Sequence, residues 1–111
     1  MTIRRYSVVW TEVAAKDVDR LASYLLDEAP LRAEQVLLRI ISRGESLEVF
    51  PHRGRTPPEL RAISDQTWLE TQEPPWRIVY RIGDRNTVEI HGVFDGRRSL
   101  EDILMERLLQ A

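Results

Sequence analysis

Apolar residues recur along this chain with two periods, one typical of strands and one typical of helices. Residues 3–10 alternate between apolar and polar positions and predict a first strand, with Val8 and Trp10 on its apolar face. Thr11 follows as the predicted N-cap of a helix, and Glu12 lies in the first turn, where the helix dipole favours a carboxylate. The sequence therefore predicts a strand that leads directly into a helix.

A pair of helices is predicted in the first half of the chain. The apolar stripe of the first helix comprises Ala14, Val18, Leu21, Ala22 and Leu25. Its charged side chains, Asp17 among them, are expected in solvent. Pro30 is the predicted start of the second helix. The apolar stripe of the second helix comprises Ala33, Val36, Leu37, Ile40 and Ile41, and the pattern extends to Leu47. Gly44 interrupts this pattern at a cost of about 1 kcal/mol in helix propensity, and Pro51 ends the helical hairpin.

Three strands and a last helix are predicted in the second half. A loop rich in Pro and Gly, residues 50–59, precedes strands at 67–71, 76–82 and 88–94, and a final helix covers 100–109. The order β-α-α-β-β-β-α indicates an α+β fold, with helices packed on one face of a small antiparallel sheet. At this length we expect residues 1–111 to form one domain.

The connection between the last two strands can be predicted in more detail. A three-residue turn at 84–86 keeps the apolar faces of both strands on the same side, whereas a two-residue turn would mix them. Asn86 then takes the left-handed conformation that asparagine tolerates. In this register the predicted opposite residues are Arg81 and Glu89, Val79 and His91, and Arg77 and Val93. Arg81 and Glu89 are expected to form a cross-strand ion pair.

Composition limits the kinds of partner and chemistry. The chain has no cysteine and two histidines, which gives no basis for a disulfide, a thiolate nucleophile or a metal site, and no cofactor is expected. No apolar run is long enough to span a membrane, and the first residues lack the pattern of a signal peptide, so we expect a cytoplasmic protein. Of 16 basic residues only Lys16 is a lysine, and 18 acidic residues give a net charge of −2. This balance favours a protein partner over a nucleic acid.

Three short motifs in this order resemble those of the RelE/ParE toxin superfamily. Residues 50–60 read FPHRGRTPPEL, similar to the family's P-x-x-G-R-x-x-P-E-L loop. Residues 75–82 read PWRIVYRI, similar to its P-Y-R-I-I-Y-R strand, and residues 93–100 read VFDGRRSL, similar to V-x-H-G-R-R-D-L. The chain departs from these patterns at Trp76, where the family has Tyr, and at Asp95, where it has His. The strand at 67–71 also has no arginine at its centre, where the family often has one.

The resemblance implies a toxin that a cognate antitoxin, ParD-like or similar, wraps and silences. The family includes ParE-like members that act on DNA gyrase and RelE-like members that cleave mRNA on the ribosome. No direct sequence-specific nucleic-acid binding is expected except through the antitoxin. The residues predicted to contact the target or the antitoxin are Arg53, Arg55, Arg61, Arg77, Arg81, Asp95, Arg97 and Arg98.

The candidate residues favour gyrase over mRNA as the target. Cleavage of RNA by a neighbouring 2′-OH needs a proton acceptor, a proton donor and cations. Arginines supply the cations but cannot act as bases. If the chain is a nuclease, Glu70 is the best base candidate, with Arg77 and Arg97 as its cations. Two alternatives stay open beside a gyrase inhibitor, namely a RelE-like mRNA endonuclease and a member that only binds an antitoxin.

Overall fold

Four strands and two helices make up the part of the chain that the computed structural model describes, residues 2–60 and 68–97. They are β1 (Ser7–Trp10), α1 (Glu12–Glu28), α2 (Ala33–Glu45), β2 (Leu69–Glu73), β3 (Trp76–Gly83) and β4 (Thr87–Asp95). Three short 3-10 turns, Ser46–Glu48, Pro51–Arg53 and Pro58–Leu60, connect α2 to the second half. The predicted helix at 100–109, Arg61 and Arg98 lie outside the described residues. The element order otherwise confirms the predicted α+β fold.

The strands form one sheet in the order β1-β4-β3-β2. β3 pairs antiparallel with both β2 and β4, as predicted. β1 instead runs parallel to β4, with Ser7 opposite Thr87 and Trp10 opposite Ile90, so the sheet is mixed and the expectation of an antiparallel sheet is wrong for this strand. A parallel pair needs a long crossover connection, and the two helices lie on that connection.

The start of α1 agrees with the sequence, and the start of α2 does not. The Thr11 hydroxyl accepts a hydrogen bond from the Ala14 amide at 3.2 Å, which confirms the predicted N-cap. α2 begins at Ala33, three residues after Pro30. Residues 30–32 form the turn that reverses the chain, closed by a hydrogen bond from the Arg32 amide to the Ala29 carbonyl at 3.0 Å. Proline therefore occupies the turn between the helices instead of the first helical position.

The main core lies between the two helices and one face of the sheet. Its buried residues include Ala14, Leu21, Leu25, Ala33, Val36, Ile40, Leu47, Ile78, Tyr80, Val88 and Ile90. Ile41, predicted in the second stripe, is instead exposed. Gly44 is buried against the Trp10 ring, and a Cβ there would lie 2.5 Å from Trp10 Cζ2. The propensity cost of this glycine is therefore offset by the close approach of α2 to β1.

A β-bulge at His91 divides β4 into two halves with opposite side-chain parity. Up to the bulge the predicted register is confirmed, with Arg81 opposite Glu89 and a turn in which Asn86 has φ 54°. Beyond it, Val79 lies opposite Gly92, not His91, and Arg77 lies opposite Phe94, not Val93. One extra residue on a strand shifts every later side chain to the other face. Regular alternation along β4 would place Phe94 on the same face as Ile90, but Phe94 packs on the opposite side of the sheet.

Asp17 corrects the expectation that all charged residues of α1 face solvent. It is 7% exposed, and its Oδ2 accepts a hydrogen bond from the Val93 amide at 3.0 Å. This amide lies two residues beyond the bulge, where the regular strand ladder is disturbed. A buried carboxylate is tolerated when such a donor compensates it. Asp17 therefore ties α1 to the irregular part of β4.

Candidate functional site on the outer face of the sheet

The candidate residues gather on the outer face of the sheet, the face opposite α1 and α2. A small second core of Leu60, Trp68, Val79 and Phe94 lies on this side. Side chains of β2 and β3 alternate between the two faces, so Glu70 and Arg77 share the outer face with Val79. The Pro/Gly loop reaches the same face through Arg55, whose backbone forms a two-bond bridge with Glu70.

Four of these residues, Arg55, Glu59, Glu70 and Arg77, form what we call the ion cluster. At its centre is Glu70, whose side chain is fully buried. Its carboxylate accepts hydrogen bonds from Arg55 Nε at 3.0 Å, from Arg77 Nε at 3.1 and 3.2 Å, and from Arg77 Nη2. The Gln72 amide adds a further donor at 3.2 Å. A buried carboxylate is stable only when its oxygens are compensated in this way.

Arg77 connects the two glutamates of the ion cluster. Its Nη1 and Nη2 donate to the two carboxylate oxygens of Glu59 at 2.7 and 2.9 Å, while Nε and Nη2 face Glu70. The hydrogen bond from Arg77 lowers the pKa of Glu59. Glu59 and Glu70 in turn raise the pKa of Arg77 above its ordinary value. Such paired bidentate contacts are the strongest form of the arginine–carboxylate interaction.

The ion cluster lacks a group placed to exchange protons with a substrate. A general base must reach the proton that it removes. The carboxylate of Glu70 is fully buried and is bound by two guanidinium groups. Four of the five N–H donors of Arg77 point at carboxylates, which leaves little capacity for a substrate phosphate while Glu59 stays bound. The structure thus brings the predicted base and cation together, but in a closed arrangement.

A second polar group surrounds Trp68 on the outer face. Arg81 Nε donates to Glu89 at 2.8 Å, which confirms the predicted cross-strand ion pair. His91 Nε2 lies 3.0 Å from the same carboxylate oxygen, and the His91 ring meets the edge of Trp68 at 5.0 Å between centroids. Arg81 also stacks over the Trp68 ring at 5.7 Å. Arg81 and then His91 lower the pKa of Glu89. Arg81 is therefore held by its own partners on the sheet.

Asp95 and Arg97 pair with each other at the end of β4. The Arg97 amide, Nε and Nη2 donate to the Asp95 carboxylate at 2.9, 3.0 and 2.8 Å. This pairing raises the pKa of Arg97. Gly96 between them donates its amide to Pro75 at 2.7 Å and lies so close to Arg77 that a Cβ would approach its Cδ to 3.1 Å. The Asp95–Arg97 pair is thus adjacent to the ion cluster.

Arg53 binds a backbone carbonyl and a serine hydroxyl in the segment that follows α2. Its Nη1 donates to the Val49 carbonyl at 2.9 Å, and its Nη2 donates to the Ser46 hydroxyl at 2.6 Å. These bonds hold the loop beside the end of α2. Within the same segment Phe50 has a left-handed backbone, φ 50°, and is 65% exposed.

Sequence reasoning missed Glu59, although the residue lies within a quoted motif. The P-E-L segment of that motif contains the glutamate that binds Arg77. A signal was present, because a glutamate that follows two prolines in an otherwise basic loop needs a cationic partner if the loop packs on the sheet. No group of acidic or histidine side chains suited to a metal ion occurs within residues 2–60 and 68–97. The helices of this same part include none that could span a membrane.

A family model described as the ParE toxin of type II toxin–antitoxin systems, parDE, matches residues 8–100. The chain therefore belongs to the ParE toxin family.

The similar proteins carry both ParE and RelE names. The curated protein Toxin RelE2 of Caulobacter vibrioides is 32% identical over 78 residues, which cover 69% of this chain and 81% of that protein. A structure of the chromosomal ParDE system of P. aeruginosa aligns with a TM-score of 0.66 at 18% identity, over 83% of this chain and 97% of that one. A chain of the RelBE2 toxin–antitoxin complex of Mycobacterium tuberculosis gives 0.61 at 23% identity, over 85% and 94%. The two structures establish the shared fold.

Proposed function

We propose that this chain is a ParE-like toxin that inhibits DNA gyrase in the cytoplasm and is neutralised by a cognate antitoxin. The observation that best supports this proposal is the closed ion cluster. Arg77, one of the two predicted nuclease cations, has its guanidinium bound to Glu59 and Glu70. A toxin that acts by binding a protein needs no free base or phosphate clamp at this position.

The described part of the outer face does not meet the chemical requirements of RNA cleavage. A 2′-OH attack requires removal of one proton and delivery of another, with cations facing the phosphorane. The predicted base Glu70 is buried behind Arg55 and Arg77. His91 shares the Glu89 carboxylate with Arg81, and its ring contacts Trp68. The outer face thus supports a binding surface better than a nuclease site.

Supercoiling by purified gyrase is the direct test of this proposal. Micromolar toxin, purified away from its antitoxin, should block supercoiling of a relaxed plasmid and increase the amount of cleaved DNA. The same toxin mixed beforehand with antitoxin is the control and should leave gyrase active. Undisturbed supercoiling with folded toxin would contradict the proposal.

A RelE-like mRNA endonuclease is the second candidate. It is supported by the name of the Caulobacter relative and by the many arginines of the outer face. In a translating extract, primer extension on a defined mRNA should then reveal cuts at codon-related positions. Arg97→Ala and Glu70→Gln should abolish these cuts if the predicted nuclease residues act as assigned. We expect no such cuts.

A further inference from the structure

The two carboxylates bound to Arg77 differ in how firmly they are held. The Glu70 side chain is fully buried on β2 and is bound by Arg55 and Gln72 as well as Arg77. The Glu59 side chain is 24% exposed and belongs to the short 3-10 turn Pro58–Leu60. Its carboxylate accepts hydrogen bonds from Arg77 Nη1 and Nη2. Glu59 is therefore the less firmly held of the two carboxylates and the one more accessible to exchange.

The charge balance of the ion cluster defines what could replace it. Arg55 and Arg77 carry two positive charges, and Glu59 and Glu70 carry two negative ones. If the Glu59 side chain rotates away, Arg55, Arg77 and Glu70 together carry one excess positive charge. The Nη1 and Nη2 groups of Arg77 then form a fork of two N–H donors without their Glu59 acceptor. Such a fork matches the two oxygens of a singly charged oxyanion. A second anion added without loss of Glu59 would leave uncompensated negative charge in a mostly buried site.

We propose that Glu59 is a displaceable internal ligand covering an oxyanion site on Arg77, and that an aspartate or glutamate side chain of a protein partner takes its place. This inference rests on the proposed pairing with a protein partner. The exchange replaces one carboxylate by another, so the charge and the hydrogen bonds of Arg77 are conserved. Leu60 packs with Trp68, Val79 and Phe94 and keeps the turn on the sheet, so the exchange needs only a side-chain rotation.

The remaining arginines of the outer face favour a protein carboxylate over a nucleic acid. Arg55, Arg81 and Arg97 each make a hydrogen bond to a carboxylate, of Glu70, Glu89 and Asp95 respectively. Nucleic-acid binding gains its affinity from many cations that neutralise successive phosphates. The described part of this face has its cations already matched by anions, so a single exchanged carboxylate fits it better than a phosphate chain.

Titration of small anions into the free toxin tests the site itself. The probes are sodium acetate, a carboxylate, and sodium dimethyl phosphate, which imitates the phosphodiester of a nucleic acid. The readout is the NMR signal of the Arg77 Nε–H group, assigned by its loss in Arg77→Lys. In Glu59→Gln we expect saturable acetate binding at least about tenfold tighter than in wild type, because the internal competitor has lost its charge. Glu48→Gln removes an exposed charge paired with Arg5 and should behave like wild type.

A second variant keeps the test decisive, since glutamine retains one oxygen that can still bind Arg77. Glu59→Ala leaves the fork vacant and should bind acetate at least as tightly as Glu59→Gln. Unchanged acetate affinity in both folded variants would refute the displaceable ligand. Dimethyl phosphate that binds either variant more tightly than acetate would refute the protein carboxylate as occupant. Because the titration contains no gyrase, its result is independent of the supercoiling assay and separates failure of this site from failure of the proposed function.

Discussion

Gly54→Ala is expected to destabilise the toxin by disturbing the contact between the Pro/Gly loop and the sheet. A Cβ at Gly54 would lie 2.2 Å from the Tyr80 hydroxyl oxygen and 2.7 Å from the backbone oxygen of Glu70. The Tyr80 hydroxyl is buried and donates to the Pro51 carbonyl at 2.6 Å, so it cannot move without losing that bond. Overpacking costs ~1–3 kcal/mol and the lost hydrogen bond ~1 kcal/mol, together ~2–4 kcal/mol. This is a large share of the ~5–15 kcal/mol typical of a folded domain.

Urea unfolding of the purified toxin measures this loss, and two further variants identify its cause. Gly83→Ala is the matched control, because its new Cβ would lie 3.2 Å from the part-exposed Glu89 carboxylate and at an ordinary 3.8 Å from the nearest backbone atom, and we expect a change below ~1 kcal/mol. Tyr80→Phe removes the hydroxyl that Gly54→Ala would strike. The double variant should therefore be more stable than the sum of the two single effects by ~1 kcal/mol or more. Strict additivity, or a Gly54→Ala protein as stable as wild type, would refute this explanation.

The other predictions concern three carboxylates and the arginine that two of them share. Asp17→Ala should lower the free energy of unfolding, measured by urea titration, by ~1–3 kcal/mol, because the buried Val93 amide loses its acceptor. Asp19→Ala, on the exposed side of α1, is the control and should change it by less than ~0.5 kcal/mol. Arg77→Met should cost ~3–5 kcal/mol by leaving Glu70 uncompensated, and Glu70→Gln in the same protein should recover part of the loss. Because folding lowers the pKa of Glu59, the ionised carboxylate stabilises the folded protein above the unfolded pKa, and this contribution is lost as pH falls through the folded pKa. Thermal melts at decreasing pH should show the loss. Glu59→Gln should make the melting temperature less dependent on pH.

The sequence allowed a good prediction of everything set by local periodicity. The Thr11 cap, the apolar stripes apart from Ile41, and the turn at residues 84–86 depend on neighbouring residues, and the structure confirms them. The bulge at His91 could not be predicted, because Val93 and Phe94 are both apolar, so the alternation does not show which of them faces the main core. Beyond the bulge, Phe94 lies on the outer face, and the Val93 amide donates to Asp17.

The candidate site was predicted in part for a similar reason. Glu70 and Arg77 were expected to act together, and their proximity follows from the pairing of β2 with β3. Their saturation by Arg55 and Glu59 depends on how a loop of prolines and glycines crosses the sheet. Such a path is determined by tertiary contacts, which the pattern along the chain does not contain.

The parallel pairing of β1 with β4 has a consequence for how the protein is made. Ser7 needs Thr87 as its partner, so the first strand cannot complete its hydrogen bonds until most of the chain has been synthesised. Contacts this distant in sequence slow folding, because the entropy of closing a long loop is lost before the contact is gained. We expect the helical hairpin and the β3–β4 hairpin to form first and the N-terminal strand to dock last. A nascent toxin chain would therefore stay incompletely folded until late in its own translation.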